Sequence, residues 1–224
     1  MNPAIVRRLI LKDWYIQRNP LLGCVFGGLA AIALMWMGQE SAVFAGSILL
    51  ITAMIVGGVQ VAMQGIVNER KDQTMTFIMS LPVSPRDYTA SKLIGGAILL
   101  VGPWLILLVG TIVVISISPT LPDGLIPYSV IVLTELLASS FVLLAVALVS
   151  ESPAWTIGAM MFGNLFINGF LYYLAHLPGF QREMKGPVAV WSDTTLALLA
   201  VEFAVIAITV GLALYFQDRK TDFL

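Results

Sequence analysis

Two acidic residues inside long apolar runs are the first candidates for chemistry in this sequence. Glu135 has Ser139 one helical turn away, and Glu202 lies in the last apolar run of the chain. An ionised carboxylate in the lipid core costs at least about 2.5–3.5 kcal/mol on insertion scales, so such residues usually face a bundle interior or water. Each acid is therefore either a substrate, gate or proton site, or a hydrogen-bonded packing group.

Two stripes of polar residues follow helical spacing within apolar runs. Gln60 and Gln64 form one stripe, and Asn164, Asn168 and Tyr172 form the other. Amide side chains are unfavourable in lipid, so both stripes are expected to face protein or water. Hydrogen bonds between helices account for any single one of these residues. Taken together, the two stripes are candidate linings of a translocation path.

The most informative polar segment is residues 68–92. It opens with charges of alternating sign, and a short apolar patch follows. The Leu-Pro pair at 81–82 is expected to end one helix, because the residue before proline avoids the α region. The Ser-Pro pair at 84–85 is a typical start of a second helix. An apolar patch on a charged hairpin favours docking to a protein, and contact with the membrane surface is the alternative.

The composition excludes several classes of function. The chain has 224 residues, of which 58% are hydrophobic and 11% charged, whereas about 25% are charged in ordinary soluble domains. Its net charge of −1 excludes a generally basic nucleic-acid binder. One Cys and one His are too few for a zinc or disulfide site. The sequence also has no phosphate-binding loop, so nucleotide hydrolysis would belong to another chain.

Six apolar runs are long enough to cross a bilayer, which takes about 20 residues each. Lipid offers no hydrogen-bond partners, so runs of this length are predicted to be helices. The sequence therefore predicts an all-α integral membrane protein with a single transmembrane domain over residues 1–224. The predicted spans are 21–37, 43–67, 93–117, 128–149, 155–175 and 195–216.

The polar connections set the predicted topology. Residues 1–19 are predicted to form an interfacial amphipathic helix, 68–92 a cytoplasmic loop and 176–194 an external loop. Ten of the twelve Lys and Arg residues then lie on one side of the membrane. Positive charge favours the cytoplasmic side, so both termini are expected in the cytoplasm of a multi-pass protein of the inner (cytoplasmic) membrane.

Residues 69–92 resemble the permeases of the ABC type-2 exporter family. The similarity is to small six-span permeases whose ATPase is a separate chain, and the topology agrees over nearly the whole sequence. Pro85 stands where the family often has a second basic residue. The resemblance is carried by Glu69-Arg70-Lys71-Asp72-x-Thr74, Ser80-Leu81-Pro82-Val83-Ser84 and Lys92.

The resemblance implies that segment 68–92 forms a coupling helix seated in a groove of an ATP-binding subunit. It implies two copies of that subunit, which carry ATP and Mg, and a second copy of this permease. No cofactor would bind to this chain directly, and membrane lipid would surround it. In the family, spans two and five line the central cavity. The implied contacts with the ATPase are Glu69, Arg70, Lys71, Asp72, Thr74, Met75, Phe77 and Ile78.

The function predicted from these features is that of a non-catalytic permease subunit of an ATP-driven exporter. Its substrate would be an amphipathic or hydrophobic peptide, lipid or drug moved out of the cytoplasm. The alternative is a proton- or ion-coupled secondary transporter that uses Glu135 and Glu202, but it leaves segment 68–92 without a role. A membrane-embedded enzyme would need paired catalytic groups at one depth, which this sequence does not offer.

Overall fold

The computed structural model describes residues 3–71, 85–150 and 152–218, which form helices and no strand. Six of the helices are long and apolar enough to cross a membrane. A π-helical turn, Met63–Val67, continues the second helix. The helices are α1 (Pro3–Trp36), α2 (Glu40–Ala62), α3 (Asn68–Lys71), α4 (Pro85–Ile117), α5 (Leu125–Ser150), α6 (Pro153–His176), α7 (Phe180–Met184) and α8 (Asp193–Asp218).

Helix α5 is the centre of the bundle. It packs against α2, α4, α6 and α8, while α1 packs against α2 and α4. Two hydrogen bonds between helices reinforce the apolar packing: Trp104 Nε1 of α4 donates to the Leu133 carbonyl of α5 at 3.0 Å, and Gln217 Nε2 of α8 donates to the Leu148 carbonyl at 2.7 Å. Most of α5 is buried, whereas α6 and α8 bury only one side each.

The predicted all-α class with six spanning helices is confirmed over the described residues. The first element differs from its prediction, because α1 runs without a break through residues assigned to an interfacial helix and a separate span. Its first half also buries a different face. Asp13 and Gln17 are buried, whereas Leu11 and Trp14 are exposed. The physical reason is that Asp13 has charged partners on other helices.

The connection between α6 and α8 folds onto one end of α5. The backbone N–H of Gly124, just before α5, donates to the carbonyl of Gly186 at 3.1 Å. Phe180 of α7 is buried and packs against Tyr128 of α5, with ring centroids 6.1 Å apart. This connection therefore closes the end of the bundle opposite to residues 68–71.

Helices α1 and α2 approach each other closely at Gly46. A Cβ atom built on Gly46 would lie 2.6 Å from the backbone carbonyl oxygen of Ala31, which is too short for a van der Waals contact. The obstacle is backbone, so no change of rotamer relieves the contact. On the same pair of helices, a Cβ atom built on Gly27 meets nothing within 4 Å.

We expect Gly46→Ala to destabilise the bundle by about 1–3 kcal/mol, the usual cost of overpacking. Thermal unfolding of the purified protein in detergent micelles measures the effect. Gly27→Ala is the matched control and should leave the midpoint unchanged. Equal midpoints for Gly46→Ala and the wild-type protein would contradict the close approach.

Candidate functional site: a buried ion cluster and two grooves

A buried lysine joins three parts of the chain at one end of the bundle. Lys92 of α4 contacts Asp13 of α1, with its Nζ 3.0 Å from Oδ1 and 2.8 Å from Oδ2. The same Nζ lies 2.7 Å from Oε2 of Glu69 in α3. The Lys92 side chain is only 3% exposed, and both carboxylates are buried as well. One ammonium group thus contacts two acids from two other helices.

Two further side chains complete this ion cluster, which comprises Lys12, Asp13, Glu69, Tyr88 and Lys92. Lys12 Nζ donates a hydrogen bond to Glu69 Oε1 and lies 3.5 Å from Asp13 Oδ1. The Tyr88 hydroxyl donates to Glu69 Oε2 at 3.2 Å. Two lysines and two acids balance formally, so the cluster can be buried without net charge.

Because the cluster is buried, its members are costly to separate. A buried ion is costly unless it is paired and hydrogen-bonded, so separating the partners would leave an uncompensated charge. Glu69 and Lys92 lie near the two ends of segment 68–92 and contact each other. Asp13 of α1 contacts Lys92, so α1 is joined to these ends as well. The ends of the segment and the first helix are therefore held together.

The cluster also sets the ionisation of Glu69, which lies beyond the spanning part of α2. Burial on its own raises the pKa of this carboxyl, but the attraction of Lys92 and the hydrogen bonds from Lys12 and Lys92 outweigh it. The pKa of Glu69 is therefore lowered from its ordinary value of 4.5. The carboxylate stays ionised at neutral pH.

We expect Lys92→Met to destabilise the protein by about 3–5 kcal/mol, because it leaves Asp13 and Glu69 with too little positive charge. Thermal unfolding in detergent micelles measures the loss. Lys185→Met, an exposed lysine at the opposite end, is the control and should change little.

The double variant Asp13→Asn/Lys92→Met separates the pairing from general damage. Because it removes one charge of each sign, it should be more stable than the sum of the two single losses predicts. Additive losses in this cycle would contradict the pairing of Asp13 with Lys92.

The lowered pKa of Glu69 predicts a pH-dependent contribution to stability. The stabilisation is fully present above the ordinary, unfolded-state pKa of 4.5 and is lost as the pH falls through the lower folded-state pKa. The difference in unfolding midpoint between the wild-type protein and Glu69→Gln should therefore be constant near neutral pH and shrink below pH 4.5. A difference that grows on acidification would contradict this assignment.

Two grooves flank α6 in the spanning part of the bundle. The first lies between α2, α5 and α6 and is lined by Asn164 among apolar residues. The second lies between α5, α6 and α8, has a volume of about 700 Å³, and is lined by Glu135 and Glu202. Ser139 and Gly163 border both grooves. The polar residues predicted to line one path therefore divide between two grooves of a single chain.

The remaining path candidates lie elsewhere. Gln60 near the end of α2 and Gln64 in the π-helical turn that follows it are half-buried. Asn168 and Tyr172 are exposed on the side of α6 that no other described helix covers. The Asn168 amide donates to the Asn164 carbonyl at 2.7 Å, one turn back on the same helix. This polar stripe thus makes its hydrogen bonds within α6 and leaves its outer face bare.

The predicted ATPase contacts lie at and beyond the ion cluster. Glu69 is inside the cluster, and Arg70 and Lys71 belong to α3, which directly precedes the gap in the described residues. Within ranges 3–71, 85–150 and 152–218, no group of three or more His, Cys, Asp or Glu side chains is placed to bind a metal ion. The predicted contacts outside the described residues are Asp72, Thr74, Met75, Phe77 and Ile78.

The sequence matches the family described as ABC-2 family transporter protein over residues 8–217. The chain belongs to the ABC-2 transporter family. It is a multi-pass membrane protein and a permease subunit, and membrane subunits of this family work with an ATP-binding subunit. Neither a curated protein nor a solved structure gives a significant match.

Sequence reasoning singled out only Glu69 and Lys92 of the ion cluster of this ABC-2 permease and missed Lys12, Asp13 and Tyr88. Lys12 and Asp13 belong to residues 1–19, which were predicted to form an interfacial helix. The signal in the sequence is Asp13 itself, an acid next to Lys12 in an N-terminal segment whose other charged residues are basic. Its partner Lys92 is 79 residues away along the chain, so spacing alone could not reveal the pairing.

Proposed function

We propose that this permease is part of an ATP-driven exporter that moves an amphipathic or hydrophobic peptide, lipid or drug out of the cytoplasm. The observation that carries the proposal is the ion cluster at the ends of segment 68–92. Because Lys92 pairs with both Asp13 and Glu69, a force on this segment is passed to α1 and α4 together. A partner that moves the segment on ATP binding would thereby move two spanning helices.

The ATP-binding subunit, with its ATP and Mg, docks on segment 68–92 in this proposal. Glu69 is buried in the ion cluster, so its role is to position the segment, not to touch the partner. Two ATP-binding subunits would serve two permeases. The proposed contacts are Arg70, Lys71, Asp72, Thr74, Met75, Phe77 and Ile78.

The orientation follows from the distribution of positive charge. Ten basic residues fall on the side of the ion cluster and two on the side of α7. The side of the ion cluster is therefore the cytoplasmic side of the inner membrane, in agreement with the preference of Lys and Arg for cytoplasmic loops. Both termini lie there in this proposal, and the α6–α8 connection is external.

A second copy of the permease would cover the bare face of α6. That face combines large apolar side chains with Asn168 and with Tyr172, which is 67% exposed. Amide groups are unfavourable against lipid, and polar side chains commonly join helices in membranes. Two-fold symmetry is the usual form of such assemblies. The substrate path would then run between the copies, past Gln60, Gln64 and Asn164.

Co-purification with the ATPase tests the proposed function. The tagged permease is expressed with the ATP-binding protein encoded beside its gene, purified in mild detergent, and assayed for ATP hydrolysis. The wild-type permease should retain the ATPase, and Met75→Asp/Phe77→Asp should lose it, because two buried charges would oppose apolar docking.

The control variant is Val188→Asp/Val190→Asp, which places the same charges on exposed positions of the connection between α6 and α8, at the opposite end of the bundle. It should retain the ATPase like the wild-type permease. A second permease carrying a different tag should be recovered in the same complex. Retention of the ATPase by Met75→Asp/Phe77→Asp would contradict docking on segment 68–92.

A further inference from the structure

The groove between α5, α6 and α8 is a mostly apolar space that contains two acidic residues at a similar depth in the membrane. Glu135 lies ten residues into α5 and Glu202 nine residues into α8. Both residues are therefore about 14 Å from the ends at which these helices begin, near the middle of a bilayer about 30 Å thick. Apart from Ser139 and two glycines, the rest of the lining consists of aromatic and aliphatic side chains.

Glu202 has no partner for its carboxyl group among the described residues. The residue is 3% exposed, and neither carboxyl oxygen makes a hydrogen bond. Buried polar groups are normally satisfied, so an unpaired carboxyl that lines a groove is a candidate contact for a ligand. Ser139 also lines the groove, but no Lys, Arg or His does so within the described part of the chain. The groove therefore offers two carboxyl groups and no cation of its own, which suits a ligand that carries a cationic hydrogen-bond donor.

The apolar part of the groove extends from the acids toward the ion-cluster end of the bundle. Along α5 the lining reaches from Glu135 to Val146, which is about 16 Å of helix. Trp155, at the far end, is 68% exposed, so the groove opens sideways to the membrane. The lining also includes Phe162 and Phe166, and aromatic faces attract cations as well as alkyl chains.

We propose that this groove binds a single-chain amphiphilic amine that enters from the membrane. Its ammonium group donates hydrogen bonds to Glu202 and Glu135, and its alkyl chain lies along the groove toward Trp155. The head group of a two-chain phospholipid is held at the membrane surface by its phosphate and does not reach acids at this depth. The inference concerns binding by the permease itself and goes beyond the proposed transport function.

A quenching titration tests the site on the whole chain without an ATPase. The permease is placed in phosphatidylcholine nanodiscs and titrated with dodecylamine brominated at its far end, which quenches nearby tryptophan. The same bromoalkyl chain ending in an alcohol is the neutral comparison. The amine should bind about tenfold more tightly than the alcohol, because charge-assisted hydrogen bonds are strong. Trp155→Phe should remove most of the saturable quenching.

Two pairs of variants separate the site from general effects. Glu135→Gln/Glu202→Gln should lose the preference for the amine, whereas Glu40→Gln, an exposed acid that borders a different cavity, should keep it. Gly158→Phe should fill the groove and abolish saturable quenching, because a Cβ atom there meets nothing within 4 Å. Gly169→Phe adds the same ring to an equally open position of α6 outside the groove and should bind normally.

Three results would overturn the proposal. The first is equal binding of the amine and the alcohol by the wild-type permease. The second is an undiminished preference for the amine in Glu135→Gln/Glu202→Gln. The third is loss of amine binding when phosphatidylethanolamine replaces part of the phosphatidylcholine, which would assign the groove to a membrane lipid. Since none of these measurements involves the ATPase, their failure is distinguishable from failure of the proposed exporter function.

Discussion

The pairing of Lys92 with Asp13 and Glu69 is the interaction on which the arrangement of the bundle depends. An ammonium group that is 3% exposed needs negative partners, and these come from α1 and α3. Satisfying this one cation therefore decides how α1, α3 and α4 meet. It also explains why α1 buries polar residues in its first half and leaves Leu11 and Trp14 exposed.

Lipid imposes a second constraint, since it cannot accept or donate hydrogen bonds to the chain. Six spanning helices pair the backbone hydrogen-bonding groups within the chain. The central helix is α5, which packs against four of the other five. Asn164 and Asn168 make their hydrogen bonds to carbonyls of their own helix. The face of α6 that carries Asn168 is not covered by any other described helix.

The two groups of buried acids in this permease differ in whether their carboxyl groups have partners. In the ion cluster every acid has a lysine within hydrogen-bond distance, so the contacts between its helices are held in place. In the groove beside α8, Glu202 lacks any hydrogen-bond partner among the described residues. The paired acids of the ion cluster thus hold helices together, whereas the unpaired Glu202 is left available to a ligand in the groove.

The sequence alone determined the all-α class, the six spans and the family motif at residues 69–92, because span length and local motifs depend on neighbours along the chain. Only the tertiary structure decided that Asp13 pairs with Lys92, and that Glu135 and Glu202 share a groove while Asn164 lines another. Such pairings depend on the order and rotation of the packed helices. Hydrophobic runs that are apolar on nearly every side carry little information about that rotation, so the partners of buried polar residues emerge only when the helices are packed.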